Sequence, residues 1–179
     1  MAVSKSLTAA SRIMAWLSMA GFVIVPAITV YAFLDPLRSG WLMLDVEHMG
    51  ARLTATVPEA QRVCALCFAL IPVGFDMWAL WSLGRLFRFY ARDEVFSLGA
   101  LRALNHVALA LFWGVLAGVL AQAPISYILS FHNGPHHREI SLGIGSGDIA
   151  WLFIAGTVLV IARVMGEARR VADENAAFV

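Results

Sequence analysis

The sequence predicts an all-α membrane protein, with four transmembrane helices in a bundle and a small extracytoplasmic cap made of a β-hairpin and sheet. The chain of 179 residues is 60% hydrophobic and only 14% charged, whereas soluble domains are about 45–50% apolar and about 25% charged. Its mean hydropathy is +0.77, and four stretches nearly free of charge are long enough to cross a bilayer. These features exclude a soluble globular enzyme, a disordered regulator and a nucleic-acid-binding protein, and they fit a single membrane domain.

The four predicted spans are about 13–34, 63–84, 103–123 and 147–163. The first three reach the roughly 20 residues that a helix needs to cross the hydrocarbon core, and the fourth is near the lower limit. The third uncharged stretch continues to Phe131, so we expect Pro124, which cannot donate a helical hydrogen bond, to end that helix. The first span has the basic start of a signal peptide. Its apolar stretch is too long for one and no small-residue cleavage site follows, so we expect it to remain uncleaved.

The basic residues predict the orientation of the spans. Nine of the 13 fall on one side of the membrane: Lys5, Arg12, Arg85, Arg88, Arg92, Arg102, Arg163, Arg169 and Arg170. The other four are Arg38, Arg52, Arg62 and Arg138. Because basic loops stay in the cytoplasm, we expect both termini, the link 85–102 and the tail 164–179 inside. The segments 35–62 and 124–146 are then outside.

The predicted outer cap depends on three stretches with strand-like composition. Residues 52–57 alternate and contain threonine and valine, and residues 125–131 and 139–144 are similar. The Asn-Gly and Gly-Pro pairs within 132–137 are typical of a turn. We therefore expect a hairpin of the last two stretches, joined by the first.

Asp76 is the acidic residue that lies deepest in a predicted span, about 13 Å from the inner boundary at 1.5 Å per residue. An intramembrane carboxylate is costly unless it is paired, which makes it a candidate functional group. Its expected partners are Asn105 and His106, near the inner end of the third span. A structural hydrogen bond between helices, or a carboxyl that stays protonated, explains Asp76 equally simply.

Asp148 has a simpler explanation than Asp76. It follows Ser146 at the start of the fourth apolar run, where serine and aspartate side chains accept hydrogen bonds from the free backbone N–H groups of a helix. Its charge also suits the positive end of the helix dipole. We expect Ser146 and Asp148 to cap the helix, and an ion-ligand role for Asp148 is the alternative.

Two further groups could carry chemistry, although each has a plainer interpretation. Cys64 and Cys67 form a C-x-x-C pair at the outer end of the second span, which could cycle between dithiol and disulfide. In an apolar helix such residues are more often small packing residues. His132, His136 and His137 could bind zinc or copper, but their spacing matches no closed metal signature. We expect no metal and no other cofactor.

Basic helix ends on the inner side form the remaining candidate site. Arg85, Arg88 and Arg92 recur along one helical face. Beyond the fourth span, opposite charges spaced i, i+4 support a solvated helix: Arg163/Glu167, Arg169/Asp173 and Arg170/Glu174. These arginines either lie at the lipid headgroups or form a surface on which a partner docks.

Two motifs, with four spans around them, make the chain resemble the bacterial domain-of-unknown-function family 2975. One motif is the inner link 86–97, which is followed by a new helix, and the other is the Arg/Glu/Asn-rich tail 162–175. The Ser-Gly-Asp start of the fourth span, 146–148, also matches. The usual ending near Asp-Leu-Thr-Val is replaced here by 176–179, Ala-Ala-Phe-Val.

The resemblance implies a bacterial inner-membrane protein whose relatives are often encoded beside a small Cro/CI-type helix-turn-helix regulator. It favours a non-enzymatic sensor or interaction partner of such a regulator, with no direct binding of nucleic acid. Arg85, Arg88, Arg92, Arg169 and Arg170 are then the docking residues. Three alternatives stay open: a proton- or ion-coupled transporter that uses Asp76, a thiol oxidoreductase that uses Cys64 and Cys67, and an accessory subunit of a larger membrane complex. A homo- or hetero-oligomer is compatible with each.

Overall fold

The computed structural model describes residues 5–34, 57–131 and 140–176, and these residues form four long helices. The helices are α1 (Lys5–Leu34), α2 (Glu59–Ala91), α3 (Leu98–Ser130) and α4 (Ser146–Ala176). All four are long and apolar enough to cross a membrane. The predicted all-α class with four spans is confirmed.

The helices are longer than the spans predicted from hydropathy. α2 has 33 residues and α4 has 31, which at 1.5 Å per residue correspond to about 50 Å and about 46 Å. The hydrocarbon core is only about 30 Å thick. For a helix that crosses along the membrane normal, about 16–20 Å lies outside the hydrocarbon, and in α4 the charged part after Ala162 supplies this length.

The prediction that Pro124 ends the third helix is wrong, because α3 continues through it to Ser130. Pro26 and Pro72 likewise lie inside α1 and α2. Proline is tolerated in membrane helices when neighbouring groups satisfy the freed backbone atoms. Two residues after Pro124, the hydroxyl of Ser126 donates to the carbonyl of Ala123 at 3.0 Å, whereas the carbonyl that loses its helical donor at Pro124 is that of Leu120.

The predicted β cap is not supported, since no strand occurs in the described part of the chain. Residues 125–130, expected as one arm of the hairpin, are helical and belong to α3. Residues 140–145 are not helical, but their backbone bonds to side chains of α3. The Ser141 N–H donates to Ser126 Oγ at 3.0 Å, and the Gly143 N–H donates to Gln122 Oε1 at 3.0 Å. The turn at 132–137 and residues 52–56 lie outside the described residues.

The chain divides into two compact units. The first unit comprises Met1–Phe22, Asp76–Phe112 and Ala150–Val179, and the second comprises Val23–Phe75 and Trp113–Ile149. The core of the first unit contains Leu86 of α2 against Ala100 and Ala103 of α3. Small residues at such a contact allow two backbones to approach closely.

The core of the second unit brings α1, α2 and α3 together. Phe33 packs with small residues of α2 and larger ones of α3: Ala65, Ala69, Ala121, Ile125 and Leu129. The Leu34 carbonyl, at the end of α1, accepts a hydrogen bond from the Arg62 guanidinium at 3.0 Å. Arg62 therefore satisfies one of the carbonyl groups that a helix end leaves free.

Candidate functional site

A short link, residues 92–97, joins α2 to α3 in the first unit, and its first part closes α2 by a Schellman motif. The Glu94 N–H donates to the Phe89 carbonyl at 3.0 Å, and the Asp93 N–H donates to the Tyr90 carbonyl at 3.2 Å. Asp93 has a φ of 67°, the left-handed conformation that this motif requires and that aspartate tolerates better than most residues. The motif gives α2 a defined end without a glycine.

Ser97 starts α3 at the other end of the link. Its hydroxyl accepts the Ala100 N–H at 3.1 Å, and its carbonyl accepts the Leu101 N–H at 3.1 Å, as an N-cap residue does. Next to it, Gly99 packs directly on the Phe89 ring, where an added Cβ would lie within 3.0 Å of three ring carbons. The link is therefore closed by hydrogen bonds and close packing at both ends.

Arg85, Arg88 and Arg92 lie together on the exposed side of the end of α2, and we call them the arginine face. With Trp81 and Phe89 they line a cavity of about 300 Å³. The Arg88 guanidinium lies over the Trp81 ring, 5.7 Å from its centroid, and the Arg88 Nε–H donates to the Gly84 carbonyl at 3.2 Å. Within the described ranges, none of the three arginines forms an ion pair.

The charged end of α4 behaves differently, because its arginines are paired. Arg169 donates to the Phe96 carbonyl of the link, and its Nε lies 3.4 Å from Asp173 Oδ2. Arg170 pairs with Glu167, and its Nε lies 3.9 Å from Glu174 Oε1. The predicted pairs Arg169/Asp173 and Arg170/Glu174 are confirmed, whereas Glu167 pairs with Arg170 rather than with Arg163.

A groove of about 480 Å³ opens between the start of α3 and the end of α4. We call it the α3–α4 groove, and its lining residues are Leu98, Leu101, Gly166, Arg169, Arg170, Asp173 and Glu174. Two leucines form its apolar floor, and charged side chains of both signs form its rim. Sequence reasoning identified the arginines but missed Leu98 and Leu101. The signal that could have found them is their i, i+3 spacing at the start of α3, just after the N-cap serine, which puts both leucines on one side of the helix.

Asp76 is not joined to its expected partners. The residue is exposed and Asn105 and His106 are half-buried, and in the described part of the chain no hydrogen bond or ion pair connects Asp76 to either of them. The His106 ring instead packs on Trp78, with ring centroids 5.8 Å apart and tilted by 48°. Neither Asn105 nor His106 is therefore a polar partner of Asp76 in the structure.

Asp148 lies in the first turn of α4, which begins at Ser146. Its Oδ2 accepts the Gly145 N–H at 2.8 Å, and the Ile149 N–H donates to the Gly145 carbonyl at 3.3 Å. The bond between the Asp148 carboxylate and the Gly145 N–H is the one that a capping box forms, from the third helical residue back to the N-cap residue. This hydrogen bond explains why a carboxylate is present at the start of α4, and the explanation requires no bound ion.

The remaining candidates are not assembled into a site by the described residues. Cys64 and Cys67 are both exposed and unbridged on α2. In the residues with a described position, no group of three or more His, Cys, Asp or Glu side chains could hold a metal ion. His132, His136 and His137 lie outside those residues.

These observations define a class: an α-helical membrane protein with four spans, whose first unit carries a capped link, an arginine face and a groove. The family model for a protein of unknown function, DUF2975, matches residues 7–179. The chain therefore belongs to the DUF2975 family, as the resemblance of its link and tail indicated. No curated protein and no solved structure matches it.

Proposed function

We propose that this protein is a non-enzymatic membrane anchor, which holds a small soluble helix-turn-helix regulator in the α3–α4 groove. In this proposal it lies in the bacterial inner membrane, with both termini and the groove in the cytoplasm. The observation that carries the proposal is a groove lined by two leucines, the exposed Leu98 and the half-buried Leu101, together with paired charges. A signal that alters the first unit would cause the protein to bind or to release the regulator.

The chemistry of the groove favours a protein partner. Leu98 is 56% exposed, and exposed apolar groups framed by charged ones are typical of protein-binding surfaces. An amphipathic helix can bury its apolar side on such a floor while its polar residues meet the rim. Arg169 and Arg170 of the expected docking set line this groove, whereas the arginine face lines a separate cavity.

The cytoplasmic location proposed for the groove depends on how the basic residues are distributed along the sequence. Nine of the 13 basic residues lie on the side where the link and the end of α4 are expected. Basic segments remain in the cytoplasm, and a DNA-binding regulator acts there. The proposal is therefore consistent with the predicted topology of the spans.

Photo-crosslinking tests this proposal in the full chain. A photoreactive amino acid replaces Leu98 in one sample and Leu142 in the other, because Leu142 has a similar exposure of 58% and is expected on the outer side. We expect a crosslink from position 98 to a helix-turn-helix protein, identified by mass spectrometry, and none from position 142. Leu101→Glu should remove the crosslink. Crosslinks from position 98 to membrane subunits alone would refute the proposal and favour an accessory role.

Proton- or ion-coupled transport is a second candidate function, favoured by the carboxylate of Asp76, which is exposed and has no polar partner among the described residues. A flux assay in proteoliposomes distinguishes it from anchoring. Transport that uses this carboxylate should disappear in Asp76→Asn and persist in Glu94→Gln, which changes an acidic residue of the link. No flux in the unmodified protein would exclude transport of the ion that is assayed.

A further inference from the structure

The arginine face continues an aromatic stripe along α2. Trp78, Trp81, Arg85, Arg88 and Arg92 follow one another at spacings of three or four residues, so they lie on the same side of the helix. All five are exposed. The stripe is thus apolar at one end and cationic at the other, over about 21 Å at 1.5 Å per residue.

The charge of this face is not neutralised within the described chain. The ion pairs there belong to Arg169 and Arg170, and like charges three or four residues apart repel each other. Three neighbouring guanidinium groups without a paired carboxylate among the described residues are therefore available to bind an anion. Guanidinium groups bind phosphate oxygens in a bidentate manner, which makes a phosphate group a suitable ligand.

Trp81 fixes the depth at which this anion would lie. Its ring packs on Phe22 of α1, with centroids 6.1 Å apart, and the Arg88 guanidinium lies over the ring. Tryptophan is enriched at the boundary between lipid headgroups and acyl chains. We therefore expect the cavity beside Trp81 to lie at the level of the lipid phosphates.

We infer that the arginine face is a binding site for an anionic phospholipid. The phosphate binds Arg85, Arg88 and Arg92, and an acyl chain lies along Trp78 and Trp81. Free phosphate or an acidic peptide would use the arginines but would leave the aromatic half of the stripe unused. Basic sites on membrane helices recognise anionic headgroups by this combination of charge and depth. The site is independent of the partner proposed for the α3–α4 groove.

Native mass spectrometry of the full chain in mild detergent tests the site, with phosphatidylglycerol or phosphatidylcholine added. We expect preferential retention of phosphatidylglycerol. The triple variant Arg85→Gln/Arg88→Gln/Arg92→Gln should bind it about 100-fold more weakly, at about fivefold for each basic residue beside the bound headgroup. The matched control removes the same charge from exposed positions off this face: Arg12→Gln/Arg102→Gln/Arg163→Gln. The control should keep the affinity of the unmodified protein.

Two further measurements keep the test decisive. A triple lysine variant of the face should retain part of the affinity, because it keeps the charge but loses bidentate binding. Should the glutamine variant fail to fold, Arg92→Gln, beyond the end of α2, should alone weaken binding about fivefold. Equal losses in face and control variants would overturn the site. If inorganic phosphate competes for the arginine face as well as the lipid does, the arginines bind a free oxyanion instead. If the glutamine variant keeps its lipid affinity but loses a protein partner, they bind an acidic protein.

Discussion

Replacing Arg169 by methionine should destabilise the protein more than the same change at its neighbour Arg170. The Arg169 side chain is only 28% exposed, and it connects α4 to the Phe96 carbonyl in the link. Arg170 is 65% exposed and pairs with residues of its own helix. The two substitutions remove the same charge from adjacent positions, so their difference isolates the contact with the link.

The expected magnitude follows from the kind and exposure of each bond. A hydrogen bond to a charged group contributes about 1.5–3 kcal/mol, and partial exposure at Arg169 favours the lower end. Its exposed i, i+4 pair with Asp173 adds about 0.3–0.5 kcal/mol, which gives a total of about 2 kcal/mol. The exposed pairs of Arg170 sum to less than about 1 kcal/mol.

Thermal unfolding in detergent, followed by circular dichroism, measures the difference. For a chain of this length 1 kcal/mol corresponds to about 2–4 °C in Tm, so Arg169→Met should lower Tm by about 4–8 °C. Arg170→Met should lower it by less than about 4 °C. Equal decreases in Tm for the two variants would refute the view that Arg169 stabilises the link. Arg169 would then have a role only in docking.

Three other substitutions test the local structure. Ser97→Ala should lower the free energy of unfolding by about 1 kcal/mol, because the Ala100 N–H loses its cap, and a Ser97→Asp variant in the same unfolding assay should restore it. Gly99→Ala should destabilise the protein by about 1–3 kcal/mol, since the methyl group has to displace the Phe89 ring; a variant as stable as the unmodified chain would contradict the close packing. Asp76→Asn should not lower stability in SDS-induced unfolding, whereas loss of a hydrogen bond between membrane helices would cost about 0.6–2 kcal/mol.

The number and approximate positions of the spans were predictable because hydropathy depends on composition rather than on packing. The charged i, i+4 pairs of α4 were predictable for a similar reason, as the pitch of a helix fixes which side chains meet. Arg169 and Asp173 illustrate this. Their spacing alone predicts the contact that the structure contains.

The errors arose where an apolar environment or a tertiary contact outweighs local preference. Pro124 breaks helices in water, but it remains inside α3, because membrane helices tolerate proline where surrounding groups satisfy the freed backbone atoms. Residues 125–130 have strand-like composition, yet a helix satisfies its own backbone groups in an apolar environment. Ser141 then bonds to a side chain of α3 instead of a neighbouring strand.

The docking residues could be predicted only in part, because a sequence shows charge but not what compensates it. Arg88 and Arg169 look alike in sequence, as basic residues at the end of an apolar helix. In the structure Arg88 lies over a tryptophan with no ion pair among the described residues, whereas Arg169 pairs with a carboxylate and a backbone carbonyl. This difference separates the arginine face from the α3–α4 groove.

The capped link between α2 and α3 bears on how the protein enters the membrane. Two helices joined by so short a connection, with contacts between Leu86 and Ala100, form a helical hairpin from residues close in sequence. Local contacts of this kind form early in folding. We therefore expect α2 and α3 to be inserted as a pair, with the arginines near their connection never crossing the lipid, and to provide the template on which the first and last helices assemble.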